Sequence, residues 1–429
     1  MPGLANSLSR LRKLRDQFEK RLTDGSGDSN WNQSARPSRL REITNFGSNP
    51  GSLRMHGYVP GGGGAKLPMV VALHGCTQTA ELYDQGTGWS DLADRLGFIV
   101  VFPEQQAANN PKTCFSWYLP ADTARDSGEA LSIRQMVATA IGSFNADPSR
   151  VFVTGLSAGG AMTSVMLATY PEVFAGGAII AGLPYGAASS VQEAFEAMFN
   201  ERALSSRALG DHVRGASSHR GPWPKISVWH GTADSVVKPT NGEHIVSQWL
   251  DVLKLPERAS SEGQIGRHTR RVWRDADGDT RLEAYSIIGM AHGVPLATAG
   301  TDCFGMAGPY FHDVGVCSTS EIARFWALDT VAVRWRQTAA RSSTALVHAA
   351  PSLGLAAARD QAPAVDARLH DAGSARDRHA ALEPSAVIAA AFKAAGLSAR
   401  DPTSRPGSRM IDIGAIIAAA LKAAGLKRS

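Results

Sequence analysis

An α/β fold, doubly wound around a mostly parallel sheet, is what this chain predicts, and three observations carry the prediction. Short continuous apolar runs such as Leu67-Pro68-Met69-Val70-Val71-Ala72-Leu73 fit strands buried on both faces. These runs alternate with segments of helical periodicity, the order that builds a parallel sheet. One run, Arg150-Val151-Phe152-Val153-Thr154, passes through Gly155-Leu156-Ser157-Ala158-Gly159 into Ala, Met and Leu at helical spacing. That is strand, sharp turn, helix.

In chain order, Leu4, Leu8, Leu11, Leu14, Phe18 and Leu22 form one stripe of a basic helix, which Arg15 interrupts. Residues 25–39 are polar and read as a linker, so the expected division is 1–42 for helix and linker, 43–336 for the folded domain and 337–429 for a tail. Residues 54–60 alternate as a strand, and Gly61 to Gly64 are expected to turn the chain between two antiparallel strands. Strands follow within 67–76 and at 98–102, with helices at 89–96 and 129–144. Beyond the Ser157 turn, strands are expected at 176–182, 224–231 and 282–288, with a helix at 191–200. In such a sheet, sites form at the carboxyl ends of the strands.

The 429 residues suffice for one large domain with a remainder, and the net charge of +5 is concentrated at the two ends. No run reaches the ~18 apolar residues that cross a bilayer, so no transmembrane segment is expected. The basic residues of the tail alternate with Asp and Ala and lack aromatic partners, which argues against nucleic acid. Residues 1–20 carry Arg10, Arg12, Lys13 and Arg15 without a following apolar stretch, so no Sec-type signal peptide is expected, which favours a cytoplasmic or granule-associated protein. The four cysteines match no zinc spacing, and no metal or cofactor is expected. Their even number permits two bridges, with Cys76–Cys114 and Cys303–Cys317 the expected pairing; bridging points instead to an oxidising, extracellular compartment.

A serine at a strand-to-helix turn is lifted clear of the sheet, and small neighbours at Gly155 and Gly159 let strand and helix approach. Its hydroxyl needs a base and a carboxylate to orient that base, in the chain order Ser, Asp, His on this kind of fold. Asp234 follows the strand ending His230-Gly231, and His292 follows the strand ending near Ile288. Among the twelve histidines, His74 and His230 end strands beside glycines and read as turn residues, whereas His244 and His312 lack the strand context. Asp302 and Asp313 come after His292, in the wrong order. Oxyanion donors are expected from the backbone N–H of Ala158, the residue after the nucleophile, and of Cys76, in the loop after His74-Gly75.

The motifs His74-Gly75-Cys76-Thr77-Gln78-Thr79, Asn109-Asn110-Pro111, Cys114-Phe115-Ser116-Trp117, Gly155-Leu156-Ser157-Ala158-Gly159-Gly160 and Ala181-Gly182-Leu183-Pro184-Tyr185-Gly186 resemble the poly(3-hydroxybutyrate) depolymerase family of esterases. The likeness covers roughly residues 45–335. It implies an α/β-hydrolase fold, a Ser157, Asp234, His292 triad, and short-chain hydroxyalkanoate polyesters or their oligomers as substrate. Similar esterases act on feruloyl or acetyl groups of plant polysaccharide, the rival reading. A non-catalytic granule-coating protein on a hydrolase fold is the rival of another class. Trp117 and Tyr185 are the candidate substrate contacts.

From about 342 to 409 the composition is that of a flexible segment. Residues 386–397 recur at 415–426 with changes only at Val387/Ile416 and Phe392/Leu421, each copy closing on Gly-Leu as a helix does. Such short helices need a partner. They either pair with each other as a small hairpin or, with the basic N-terminal helix, hold the chain on a polymer granule surface or on a protein coating it.

Overall fold

The computed structural model describes residues 12–22, 37–61, 66–199, 204–299 and 303–329. The repeats at 386–397 and 415–426, and the granule-binding role expected of them, lie outside the described residues, as do Asp302 and most of the linker.

After a helix at 12–22 (α1), strands β1 (Arg41–Ile43) and β2 (Arg54–Tyr58) lead to β3 (Leu67–Leu73). Helices α2 (Ala80–Thr87) and α3 (Trp89–Leu96) precede β4 (Ile99–Glu104), and α4 (Pro120–Thr123) and α5 (Gly128–Ser143) precede β5 (Ala146–Leu156). Next come α6 (Ala158–Thr169), β6 (Gly176–Ile180), α7 (Val191–Phe199), α8 (Ser206–Gly215), β7 (Lys225–Gly231) and α9 (Thr240–Leu253). Strands β8 (Ser261–Ile265), β9 (His268–Arg274) and β10 (Thr280–Ile287) form a meander; β11 (Val294–Leu296), β12 (Phe311–Asp313) and α10 (Ser318–Phe325) end the described elements.

Ten strands make one sheet in the order β1-β2-β4-β3-β5-β6-β7-β10-β9-β8. Every neighbouring pair from β4 to β10 is parallel, and the pairs outside them are antiparallel. The doubly wound, mostly parallel expectation is met. One expected pairing is not: β2 and β3 are separated in the sheet by β4 and so are not hairpin neighbours, and Gly62 to Gly64 of the expected turn lie outside the described residues. The physical reason lies in β3, which is buried along its whole length and takes parallel partners on both edges, leaving none for β2.

The period of two along β3 divides the core. Met69, Val71 and Leu73 join Ile133 and Val137 of α5, Met162 of α6 and Trp249 of α9 in one cluster. Val70 and Ala72 join Trp89 and Leu92 of α3 and Ile322 of α10 in the other. Helices therefore cover both faces, and the parallel strands all point their carboxyl ends to one rim, where the loops carrying the candidate residues converge. Among the described residues, no helix is long and apolar enough to cross a membrane.

Candidate active site

Ser157 sits between the last residue of β5 and the first of α6 with φ 58° and ψ −116°. A side-chain-bearing residue adopts such a backbone only under restraint. The restraint is visible: the Ser157 N–H donates to the Ile180 carbonyl at 2.9 Å, and the Ser157 carbonyl accepts from Ala161 N–H at 2.8 Å. The flanking glycines are required by space. A Cβ at Gly159 would lie 2.3 Å from the Leu73 carbonyl oxygen and 2.5 Å from that of His74, and one at Gly155 would lie 2.4 Å from the Gly159 carbonyl oxygen. Strand β3, strand β5 and helix α6 thus meet backbone to backbone at the turn. The serine lines a cavity of about 270 Å³.

Asp234 follows β7 and His292 follows β10, and these neighbouring strands run parallel, so the two loops emerge side by side. Backbone bonds join the loops: Thr232 N–H donates to Ile287 O at 3.0 Å and Ala233 N–H to Met290 O at 3.0 Å. His292 Nδ1 lies 2.7 Å from Asp234 Oδ2, and both residues are buried. The other carboxylate oxygen accepts from Val236 N–H at 2.8 Å and Val237 N–H at 2.9 Å. Burial alone would push the Asp234 carboxyl up. The facing His292 and His230 rings outweigh it and hold the group well below the usual carboxylate range, so it is ionised. An ionised Oδ2 fixes the imidazole proton on Nδ1 and leaves Nε2 as a base.

Two further histidines shape this pair. His230 Nε2 lies 2.9 Å from Val237 O, to which it donates, and 3.4 Å from Asp234 Oδ2, which places it beside the acid. His312 Nε2 donates to the His292 carbonyl at 2.9 Å, and pairing of β11 with β12 brackets that bond. Sequence order alone leaves both as bystanders. Asp313 is exposed and bonded to Thr298 instead.

Cys76 and Ala158 both line the cavity beside Ser157. Ala158 opens α6, where N–H groups lack intrahelical acceptors. Neither N–H is taken by another backbone carbonyl among the described residues. The loop bearing Cys76 is pinned from several sides. Gln105 N–H donates to His74 Nε2 at 3.0 Å, so the His74 proton sits on Nδ1 and is donated to Gly75 O at 2.7 Å. Burial pushes His74 down, which keeps that ring neutral. The Cys76–Cys114 disulfide and the Thr77 N–H bond to Lys112 O at 2.7 Å tie this loop to the 110–114 segment. Glu129, buried beneath that segment, accepts from Ser116 N–H at 2.8 Å and Gln105 Nε2 at 2.6 Å, and burial pushes it up to about 7. The second pair is also joined, Cys303 to Cys317.

Trp117 is buried and lines the Ser157 cavity. Tyr185 is not among the residues that line the Ser157 cavity. Its backbone N–H and carbonyl are both held by Gln248 of α9, at 3.0 Å each, and the side chain lines a neighbouring pocket on the far side of Trp117. The remaining cavity wall comes from residues not singled out in sequence as site residues, among them Leu183, Phe195 and Met198.

A family model described as Esterase PHB depolymerase matches residues 53–274. The poly(3-hydroxyalkanoate) depolymerase C of Paucimonas lemoignei is 46% identical over 292 residues, covering 67% of this chain and 70% of that protein. The chain belongs to the PHB depolymerase family of esterases. It is also similar to a feruloyl esterase B of Talaromyces stipitatus, 34% identical over 281 residues, 63% of this chain and 76% of that one. Among solved structures, an acetyl xylan esterase from Aspergillus awamori matches with a TM-score of 0.58 at 25% identity, over 67% of this chain and 99% of that one. Membership in this family makes the chain an α/β-hydrolase that cleaves carboxylic esters.

Proposed function

We propose that this esterase hydrolyses short-chain polyhydroxyalkanoate polyester, or its oligomers, through an acyl-Ser157 intermediate. Ser157 Oγ attacks the ester carbonyl carbon while His292 Nε2 takes its proton, and Asp234 holds the resulting imidazolium. The Cys76 and Ala158 N–H groups receive the oxyanion. Collapse expels the alcohol end of the ester, which leaves with the proton from Nε2. A water then repeats the sequence on the acyl group, giving its proton to Nε2 and returning Ser157 as the free hydroxyl. Catalytic hydrogen bonds are often long or unformed in unliganded enzymes, and a hydrogen bond from Ser157 Oγ to His292 Nε2 is expected to form with substrate bound.

The observation that carries the chemistry is the 2.7 Å bond between His292 and an ionised Asp234, on loops that leave the same rim of the sheet as a serine held at positive φ. The 46% identity to a polyhydroxyalkanoate depolymerase supports the substrate. The test compares release of 3-hydroxybutyrate from amorphous polymer and from soluble oligomers by wild type and Ser157→Ala. Release that survives the substitution refutes the nucleophile. A second reading, a feruloyl or acetyl carbohydrate esterase, draws on the feruloyl and acetyl xylan relatives. It is favoured if wild type ignores hydroxybutyrate oligomers and turns over feruloyl or acetyl esters in a Ser157-dependent manner.

A further inference from the structure

The wall of the ester cavity is not built by the α/β core alone. Arg15, Phe18 and Glu19 of α1 line it together with Ser157. Their spacing puts all three on one face of the helix. This helix lies outside residues 53–274, where the family model matches. The Phe18 ring meets Phe195 of α7 edge-on, with centroids 5.6 Å apart. Arg21 Nη1 donates at 2.5 Å to the carbonyl of Ser235, the residue after Asp234, and its guanidinium lies 4.5 Å over the Phe199 ring. Tyr310 Oη donates at 2.6 Å to the Leu22 carbonyl, and the Tyr310 ring stands edge-on to His292. The helix is therefore clamped to α7, to the acid loop and to the segment packed on the base.

We propose that Phe18 is a specificity-determining residue of the ester site, closing an apolar subsite for a short aliphatic acyl chain. The inference rests on Ser157 as the nucleophile. A serine, its base and its oxyanion donors treat every carboxylic ester alike, so discrimination comes from the walls that touch the rest of the substrate. Phe18, Phe195 and Met198 offer hydrocarbon on one side of the cavity. At about 270 Å³ it lies at the small end of ligand sites, suited to an acyl group of a few carbons. Each methylene that enters such a wall improves kcat/KM by about fourfold.

The experiment uses the full chain as wild type, Phe18→Ala and Phe18→Leu, with p-nitrophenyl acetate, butyrate and hexanoate. Active sites are counted by titration with an organophosphonate, so unfolded protein does not enter the rates. Wild type is expected to gain about fourfold in kcat/KM per methylene from acetate to butyrate. Phe18→Ala is expected to cut that gain to below about twofold, with the change in KM rather than kcat, and Phe18→Leu to restore part of it. A chain-length profile in Phe18→Ala parallel to wild type overturns the proposal, as does an equal loss on all three esters, which marks a structural role. A wild-type series without a gain from acetate to butyrate overturns it too. Turnover that persists in Ser157→Ala instead refutes the nucleophile, separately from the role of Phe18.

Discussion

Replacing Asp234 by Asn changes one atom in size hardly at all and in hydrogen-bonding character completely. Oδ1 of Asp234 accepts from two backbone donors, Val236 N–H and Val237 N–H. An Asn side chain keeps those bonds only with its oxygen in the Oδ1 position, which aims its NH₂ at His292 Nδ1; His230 Nε2 lies farther off, and its proton is already given to the Val237 carbonyl. The flipped amide would set NH₂ against the two backbone N–H groups, leaving buried donors facing donors, at about 1–3 kcal/mol each. The unflipped form therefore prevails. Facing a donor, His292 Nδ1 must become the acceptor, and the ring proton moves to Nε2, where it blocks uptake of the Ser157 proton. A wrong tautomer in a triad costs about 10⁴ in kcat, or about 5.4 kcal/mol. The assay is steady-state hydrolysis of p-nitrophenyl acetate near neutral pH, with active sites titrated. A fall of less than about tenfold would refute the tautomer argument and with it the role of Asp234 in orienting the base.

Three other outcomes are expected. In Gly159→Ala the new methyl meets the Leu73 and His74 carbonyl oxygens, neither of which can give way without opening the contact of β3 with α6. Urea unfolding should show a loss of about 1–3 kcal/mol or more, and a loss under about 0.5 kcal/mol would show that the turn relaxes. For Glu129, burial keeps the folded carboxyl protonated up to about 7, against 4.5 for the free group, so the folded state binds more protons between those values. The contribution of Glu129 to stability is then fully present below about pH 4.5 and falls by on the order of 3 kcal/mol as the pH rises to about 7. Glu129→Gln should lose that slope in chemical unfolding followed from pH 4.5 to 7, and a curve parallel to wild type would contradict the assignment. Deletion of residues 381–429 is expected to lower association with polymer granules while soluble ester turnover is retained; unchanged granule association counts against the role of the repeats.

Much of the site was legible because its chemistry is tied to local pattern. The alternation of Val151, Phe152 and Val153 followed by Gly-Leu-Ser-Ala-Gly specifies a strand, a turn and a helix within one short window, and the structure places Ser157 there at positive φ. Asp234 and His292 could be chosen because each follows a strand in the right order. The parallel pairing of β7 and β10 then brings the two loops together. Where the local signal is weak, elements were missed. Strand β8 at the sheet edge carries Ser, Glu and Gln, and its neighbour β9 carries two consecutive Arg residues, so neither shows the apolar alternation that marks a strand.

The sequence by itself determined which faces are apolar, where the backbone must turn sharply, and which side chains are candidates for ester cleavage. All of these follow from interactions between residues close along the chain. Only the tertiary structure decided what each face meets. It seats β4 rather than β3 beside β2, holds the Tyr185 backbone on Gln248 in the wall of a pocket that shares Trp117 with the serine cavity, and sets His230 and His312 around the acid and the base. It also lays the Phe18 face of the N-terminal helix against Phe195 at the ester cavity. A hydrophobic stripe specifies that a surface will be buried; the partner is chosen by packing among segments hundreds of residues apart, which no local pattern records.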